Sequence, residues 1–343
     1  MSLKNIAQAA HVSVSTVSRA LSGSNRISEE KRREILEIAR AQGYIDTRVR
    51  RASQAGLQSI VLAMPEAMLH PSETNFTSWR ILEKLRSECA SRGISVDPVL
   101  CPGDRLDPAH VMAGIEASDA EAIVVHFDEN PALIGRLAAQ NRPAVLLFGL
   151  DPSSRISSVG VGNTYATVLA TQHLLDLGHK DILLLSWPGR MTIRRREAGF
   201  REAMRENGCA SAEDQILRLS GFAPAIVDAE FSAWIAAQNG VLPVSAILCL
   251  SDNIALRAMH CLQRAGYSVP EDVSVMGFDD SLAGQMASPA LCSVRPPLDD
   301  IAITAIEELE LHLRRSGSYV ARRIELGCQI TIGRSTAAPR RRA

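Results

Sequence analysis

Residues 3–44 read LKNIAQAAHVSVSTVSRALSGSNRISEEKRREILEIARAQGY, and the spacing of their apolar residues decides how the whole chain is understood. Ile6, Ala7, Ala9 and Ala10 give a small apolar face to a first helix that Ser2 can cap and that ends near His11. Val12 and Ser13 turn the chain into a second helix, Val14 to Leu21. Its Val17, Ala20 and Leu21 face the first helix, while Val14, Ser15, Ser18 and Arg19 point away. Ser28 followed by Glu29 and Glu30 starts a third helix with acids at the positive end of its dipole. Ile35, Leu36, Ile38 and Ala39 form its buried stripe, Gly43 stops it, and Tyr44 can fold back over the end. Two short helices joined by a tight turn, then a longer third, make a helix-turn-helix head whose second helix enters the major groove. A small helical bundle used for protein contacts is the alternative.

Charge separates this head from the remainder. Residues 1–60 hold ten Lys or Arg against five acids, whereas the full chain has a net charge of −1, so the basic excess lies at the front and implies a polyanionic partner there. The 343 residues are enough for a head plus a two-lobed body with cores of its own. No apolar run reaches the ~20 residues of a membrane span, and the N-terminus has no signal-peptide pattern, which places the protein in the cytoplasm. Seven widely spaced cysteines without a C-x-x-C argue against a disulfide framework or a metal site and read as reduced, mostly buried fillers.

The string IAQAAHVSVSTVSRALSGSNRISEEKRREILEIARAQGY closely resembles the head of the lactose-repressor/galactose-repressor family of bacterial transcription regulators. That resemblance implies that Val14, Ser15 and Arg19 read bases and that Ser13, Thr16 and Ser18 hold phosphates. An Arg fork suits a guanine edge, and small hydroxyls suit phosphate oxygens. Ser22 stands where the family usually has an Asn contact. In the family the linker after Tyr44 folds on DNA into a hinge helix that pushes a leucine into the minor groove. Here Asp46 and Thr47 replace its Pro-Asn start and Ser53 stands at the leucine position, so the expectation is phosphate contact through Arg48, Arg50 and Arg51 without the wedge.

From Ser59 on, apolar runs alternate with helical patterns. The runs are 60–64 (IVLAM), 94–100 (ISVDPVL), 122–127 (AIVVHF), 144–148 (AVLLF), 182–186 (ILLLS), 246–250 (AILCL) and 273–278 (VSVMGF). Helices are expected over 79–92, 164–177, 193–207, 253–265 and 298–315. Such a pattern indicates parallel sheets covered by helices on both faces, and so many strands suit two sheets better than one. The expected fold is an all-α head followed by an α/β body of two doubly wound lobes.

The family resemblance continues more loosely through SSVGVGN (157–163), LLDLGHKDILLLSWP (174–188), RREAGFREAM (195–204) and VPEDVSVMGFDDSLAGQMASPALCSV (269–294). It implies a body like the periplasmic sugar-binding proteins, divided into a head at 1–45, a hinge at 46–58, one lobe of 59–160 with 294–323, a second of 161–293 with 324–336, and a disordered tail at 337–343. A small effector would lie in the cleft between lobes. Arg196, three residues before Gly199-Phe200, matches the family's effector-contacting arginine, and Asp279 matches its hydroxyl-accepting carboxylate. An Arg fork facing a carboxylate suits a polyol. Phe148 replaces a common acid, Ser251 the Asn before Asp252, Pro296 a Gln, and Gly162 an Asp, which makes the site more apolar than in a sugar regulator. Phe76, Trp79, Trp187 and Phe222 are stacking candidates, although aromatic residues at such spacing are more often core.

Enzyme patterns are weak. Gly160-Val161-Gly162 begins a dinucleotide fingerprint whose third glycine is Tyr165, and there is no G-x-S-x-G, P-loop or H-E-x-x-H. The expected protein is a non-enzymatic homodimer without cofactor or metal. It represses a near-palindromic operator until a carbohydrate or sugar-derived inducer binds. A nucleobase-type corepressor, or a pure solute-binding protein, is the alternative.

Overall fold

The computed structural model describes residues 3–21, 29–41, 56–69, 76–127, 130–209, 212–315 and 317–340. The head consists of α1 (Leu3–Ala9), α2 (Val14–Leu21) and α3 (Glu29–Ala41), the order and spacing that the apolar pattern requires. Ile6, Ala7, Ala10, Val17, Ala20, Ile35 and Ala39 pack into one small core. His11 reverses the chain between α1 and α2 in the left-handed region, φ 51°. The Val12 N–H donates to the Ala7 carbonyl at 2.9 Å and closes that turn.

The rest of the chain forms two α/β units. The first sheet contains β1 (Ser59–Pro65), β2 (Ser95–Cys101), β3 (Ala122–His126), β4 (Ala144–Leu147), β5 (Ser157–Val161) and β11 (Arg323–Leu326), in the order β11-β5-β4-β3-β1-β2. Its helices are α4 (Phe76–Ser91), α5 (Pro108–Ala117), α6 (Pro131–Ala138) and α12 (Leu298–Arg314). The second sheet contains β6 (Ile182–Ser186), β7 (Ile216–Arg218), β8 (Ala246–Cys249), β9 (Ser274–Phe278), β10 (Cys292–Arg295) and β12 (Gln329–Thr331), in the order β12-β10-β9-β8-β6-β7. With it go α7 (Asn163–Asp176), α8 (Met191–Glu206), α9 (Pro224–Ala236), α10 (Asp252–Arg264) and α11 (Leu282–Met286). Both sheets therefore repeat one strand order, with a switch point beside β1 in the first and beside β6 in the second.

The fully apolar runs are the central strands. β3, β4, β6, β8 and β9 are buried along their whole length, as strands covered on both faces must be. β2 tolerates Pro98 because it is an edge strand, paired with β1 on one side only. Segment 294–297 groups with the second unit, since Arg295 still pairs with Gln329 across β10 and β12. The expected disordered tail needs correcting up to Arg340. The Ala337 N–H donates to Ser274 Oγ (3.0 Å), His179 Nε2 bonds the Ala337 carbonyl (2.8 Å), and Arg340 pairs with Asp272 (3.1 Å). Residues 341–343 lie outside the described residues. All seven cysteines are free, and five of them are buried. Among the described residues no helix is long and apolar enough to cross a membrane.

Candidate functional site

Two sites follow from this architecture, one on the head and one at the strand ends of the second unit. On the head, burial of Val17 and Ala20 fixes which side of α2 is turned outward. Val14 is 40% exposed, and Ser13 and Ser15 are exposed beside it. Ser13 caps the helix: its Oγ accepts from the Thr16 N–H at 3.1 Å and lies 2.8 Å from Ser15 Oγ and 2.7 Å from Thr16 Oγ1. Hydroxyls clustered at the positive end of a helix are suited to phosphate oxygens. The side chains of Ser18 and Arg19, and all of Ser22, Arg48, Arg50, Arg51 and Ser53, lie outside the described residues.

In the second unit, Arg196 is fixed from three directions. Its Nε donates to Asn163 Oδ1 (2.8 Å), its Nη1 donates to the Leu250 carbonyl at the end of β8 (2.6 Å), and its guanidinium carbon lies 3.4 Å from the centre of the Phe278 ring. The close approach of α7 and α8 makes the first bond possible, because a side chain at Gly199 would strike the Thr164 backbone. Nη2 has no partner among the described residues. Arg194 and Arg195, its neighbours in sequence, instead bond the Gly189 carbonyl and Glu325.

Asp279 follows β9 with φ 117°, and Asp280 follows with φ 51°, two consecutive non-glycine residues on the left-handed side. No donor among the described residues reaches the Asp279 carboxylate. Burial, opposed by Arg196 and reinforced by the Asp252 charge, pushes its pKa up to about 7. Burial also lowers the proton affinity of Arg196 and raises the nearby Cys328 thiol to about 11. The result is an arginine with an uncommitted donor edge and a carboxylate without a donor, held together at the carboxyl ends of the strands.

The remaining candidates separate. Asp252 is 1% exposed and spends both oxygens inside the unit, on Ser293 Oγ and the Ser281 N–H, each at 2.6 Å. Ser251 caps α10 by accepting from the Ile254 N–H at 3.3 Å. Pro296 is buried just after β10. Phe222 is 44% exposed and tilts over Trp187, ring centres 5.6 Å apart.

In the first unit Phe127 and Phe148, the residues that follow β3 and β4, both take positive φ (55° and 59°) and stack at 5.2 Å, with His126 edge-on to each. Phe148 is buried there; Phe76, partly exposed at the start of α4, groups with the second unit. Sequence reasoning did not single out Asn163, Phe127, Phe278, Ser293 or Cys328. The only signal for two of them is the pair of motifs, V-G-N and G-F-D-D, in which Asn163 and Phe278 lie.

Residues 2–46 match the model for bacterial regulatory proteins of the lacI family, and residues 171–336 match the periplasmic binding protein-like domain. An uncharacterized HTH-type transcriptional regulator in the aml 5' region of Streptomyces limosus is 32% identical over 320 residues, covering 90% of this chain and 86% of that protein. The complex of the transcriptional regulator CelR with cellobiose superposes with a TM-score of 0.69 at 22% identity, over 98% of this chain and 99% of that one. The lac repressor dimer bound to operator and the anti-inducer ONPF superposes with the same TM-score of 0.69, at 24% identity, over 98% and 99% of the two chains. At these identities the two structures establish the fold.

Proposed function

The chain belongs to the LacI family of bacterial regulatory proteins and is a DNA-binding transcriptional regulator; on that premise we propose which residues read DNA and what the body binds. α2 lies in the major groove with Val14, Ser15 and Arg19 at base edges and Ser13, Thr16 and Ser18 at phosphates. The outward exposure of Val14, Ser13 and Ser15 supports this orientation. Ser22, Arg48, Arg50, Arg51 and Ser53 extend the backbone contact, without a leucine wedge in the minor groove. The protein acts as a homodimer on a near-palindromic operator, because two-fold symmetric heads read two half-sites; the lac repressor structure, likewise a dimer bound to operator, supports this.

The effector is a carbohydrate or sugar derivative that contacts Arg196 and Asp279. One observation carries this reading: an arginine anchored through Asn163, Leu250 and Phe278 keeps a donor edge open near a carboxylate that no donor among the described residues reaches. A hydroxyl can accept from the first and donate to the second, so a polyol satisfies both. The relative of the same fold bound to cellobiose supports that class. Effector binding favours one state of the body and relieves repression, to the extent that the ligand prefers that state.

A thermal-shift screen of sugars, sugar phosphates, polyols and nucleobases tests the reading. A sugar should raise the melting temperature of the wild type and have no effect on Arg196→Ala, while gel shifts show that the variant still binds its operator. Equal shifts in wild type and variant would exclude Arg196 as a contact. A second reading, a planar nucleobase-like corepressor, is favoured by the Trp187–Phe222 pair, whose Phe222 ring is half-exposed. It predicts that only the nucleobases in the screen bind and that they tighten the operator complex.

A further inference from the structure

Asp279 and Asp280 both hold positive φ, a backbone state that side-chain-bearing residues adopt only when their surroundings impose it. The surroundings here are specific. One oxygen of Asp252 accepts from Ser293 Oγ and the other from the Ser281 N–H, each at 2.6 Å. The oxygen of Ser293 in turn accepts from the Asp280 N–H at 3.1 Å. The Asp279 N–H donates to the Val294 carbonyl at 2.9 Å, and Arg295 holds the Asp280 carboxylate at 2.5 Å. The turn is thus bonded on both sides of Asp279, and one buried carboxylate anchors the network.

The fold makes room for that carboxylate. A Cβ at Gly277 would strike Asp252 Oδ1, and one at Gly284 would come within 3.2 Å of Oδ2. Two glycines therefore leave the space that Asp252 fills. With both oxygens occupied and 1% of its surface exposed, Asp252 has nothing left to offer a ligand.

We propose that Asp252 and Ser293 are positioning residues of the effector site, which hold the Asp279–Asp280 turn in its left-handed conformation and so present the Asp279 carboxylate beside Arg196. The inference rests on the reading of Asp279 as an effector contact. The charged and titratable groups acting on that carboxylate are Arg196 from α8, Asp252 from α10 and Cys328 between β11 and β12. Asp252 therefore affects Asp279 twice, through the turn and as a neighbouring negative charge that favours its protonated form.

A ligand-free measurement tests this on the full chain. The side-chain carboxyl carbons of aspartate are labelled with 13C and followed by NMR between pH 4 and 9, with Asp279→Asn identifying the Asp279 signal. In the wild type that signal should titrate near 7. Asp252→Asn removes the charge and replaces one of its two acceptor oxygens by an amide donor, and should raise the acidity of Asp279 at least tenfold. Ser293→Ala keeps the charge but releases the Asp280 N–H, and should also displace the midpoint; Ser293→Thr, which keeps the hydroxyl, should restore it. If Asp252→Asn does not fold, the alanine and threonine variants decide the matter alone. A midpoint unchanged in Ser293→Ala, whatever its melting temperature, overturns the proposal and leaves Asp252 and Ser293 as core residues. Failure of the effector reading shows elsewhere: no ligand in the screen would distinguish wild type from Arg196→Ala, whichever way the titration falls.

Discussion

The two α/β units share one strand order yet end their strands in opposite chemistry. In the first, the residues after β3 and β4 are Phe127 and Phe148, stacked on each other on left-handed backbone. In the second, the residues after β8 and β9 bring a backbone carbonyl, a buried aspartate and Asp279 around Arg196. A common architecture thus leaves the chemistry to the short stretches after each strand. The difference is one of side chains: polar and ionisable groups gather at the strand ends of the second unit, and aromatic rings at those of the first.

The largest expected effect would break the comparison from the apolar side. Phe148→Ala removes a buried ring that stacks on Phe127 and should destabilise the protein by about 3 to 5 kcal/mol, as read by urea unfolding. A loss under about 1 kcal/mol would mean that the pair is a surface kept for a ligand, since a packed ring costs more to remove. Next comes Arg196→Ala, which should weaken the best-binding compound of the screen by about 2 to 3 kcal/mol in calorimetry, the scale of a hydrogen bond to a charged group. The matching change in the first unit, Phe127→Ala, should alter affinity less if recognition is polar.

Acidity sharpens the contrast further. Because the folded pKa of Asp279 is raised from 3.8 to about 7, the folded state holds a proton that the unfolded state releases over that interval. Stability from this group is therefore full below pH 4 and declines as pH rises toward 7. Asp279→Asn should flatten the fall between pH 5 and pH 7.5, a change of about 1 to 3 kcal/mol in urea midpoints converted to free energy. In the first unit the buried Glu308 goes the other way: Arg322, Tyr319 and Ser157 hold its carboxyl below the usual value despite its burial. The smallest effect is expected at Phe222→Ala. That half-exposed ring should contribute under about 1 kcal/mol to stability, while its loss weakens any ligand that stacks on it.

How far these features were legible from residues alone depended on whether neighbours in sequence or in space determine them. The helix Val14–Leu21 and the buried strands around 122–126, 144–147, 182–186 and 274–278 follow from local periodicity and appear where it places them. β7, β11 and β12 are short edge strands with half-exposed side chains, and three or four residues of mixed polarity carry no period to detect. At the site, Arg196 and Asp279 were legible through their motifs. The burial of Asp252 was not, because it depends on Gly277 and Gly284 reaching it across the fold, and an aspartate at the start of a helix looks the same whether it faces ligand or core. Ser293 gave no sign at all, since its partners lie 13 and 41 positions away.

The last two strands have a consequence in time. β11 completes the first sheet and β12 the second, with only Gly327 and Cys328 between them. A ribosome making this chain releases the head and ten strands before either sheet can close. Both edges then arrive within a few residues of each other, and a chain cut short at Pro297 would carry two unfinished sheets, each with an open edge able to pair with another copy.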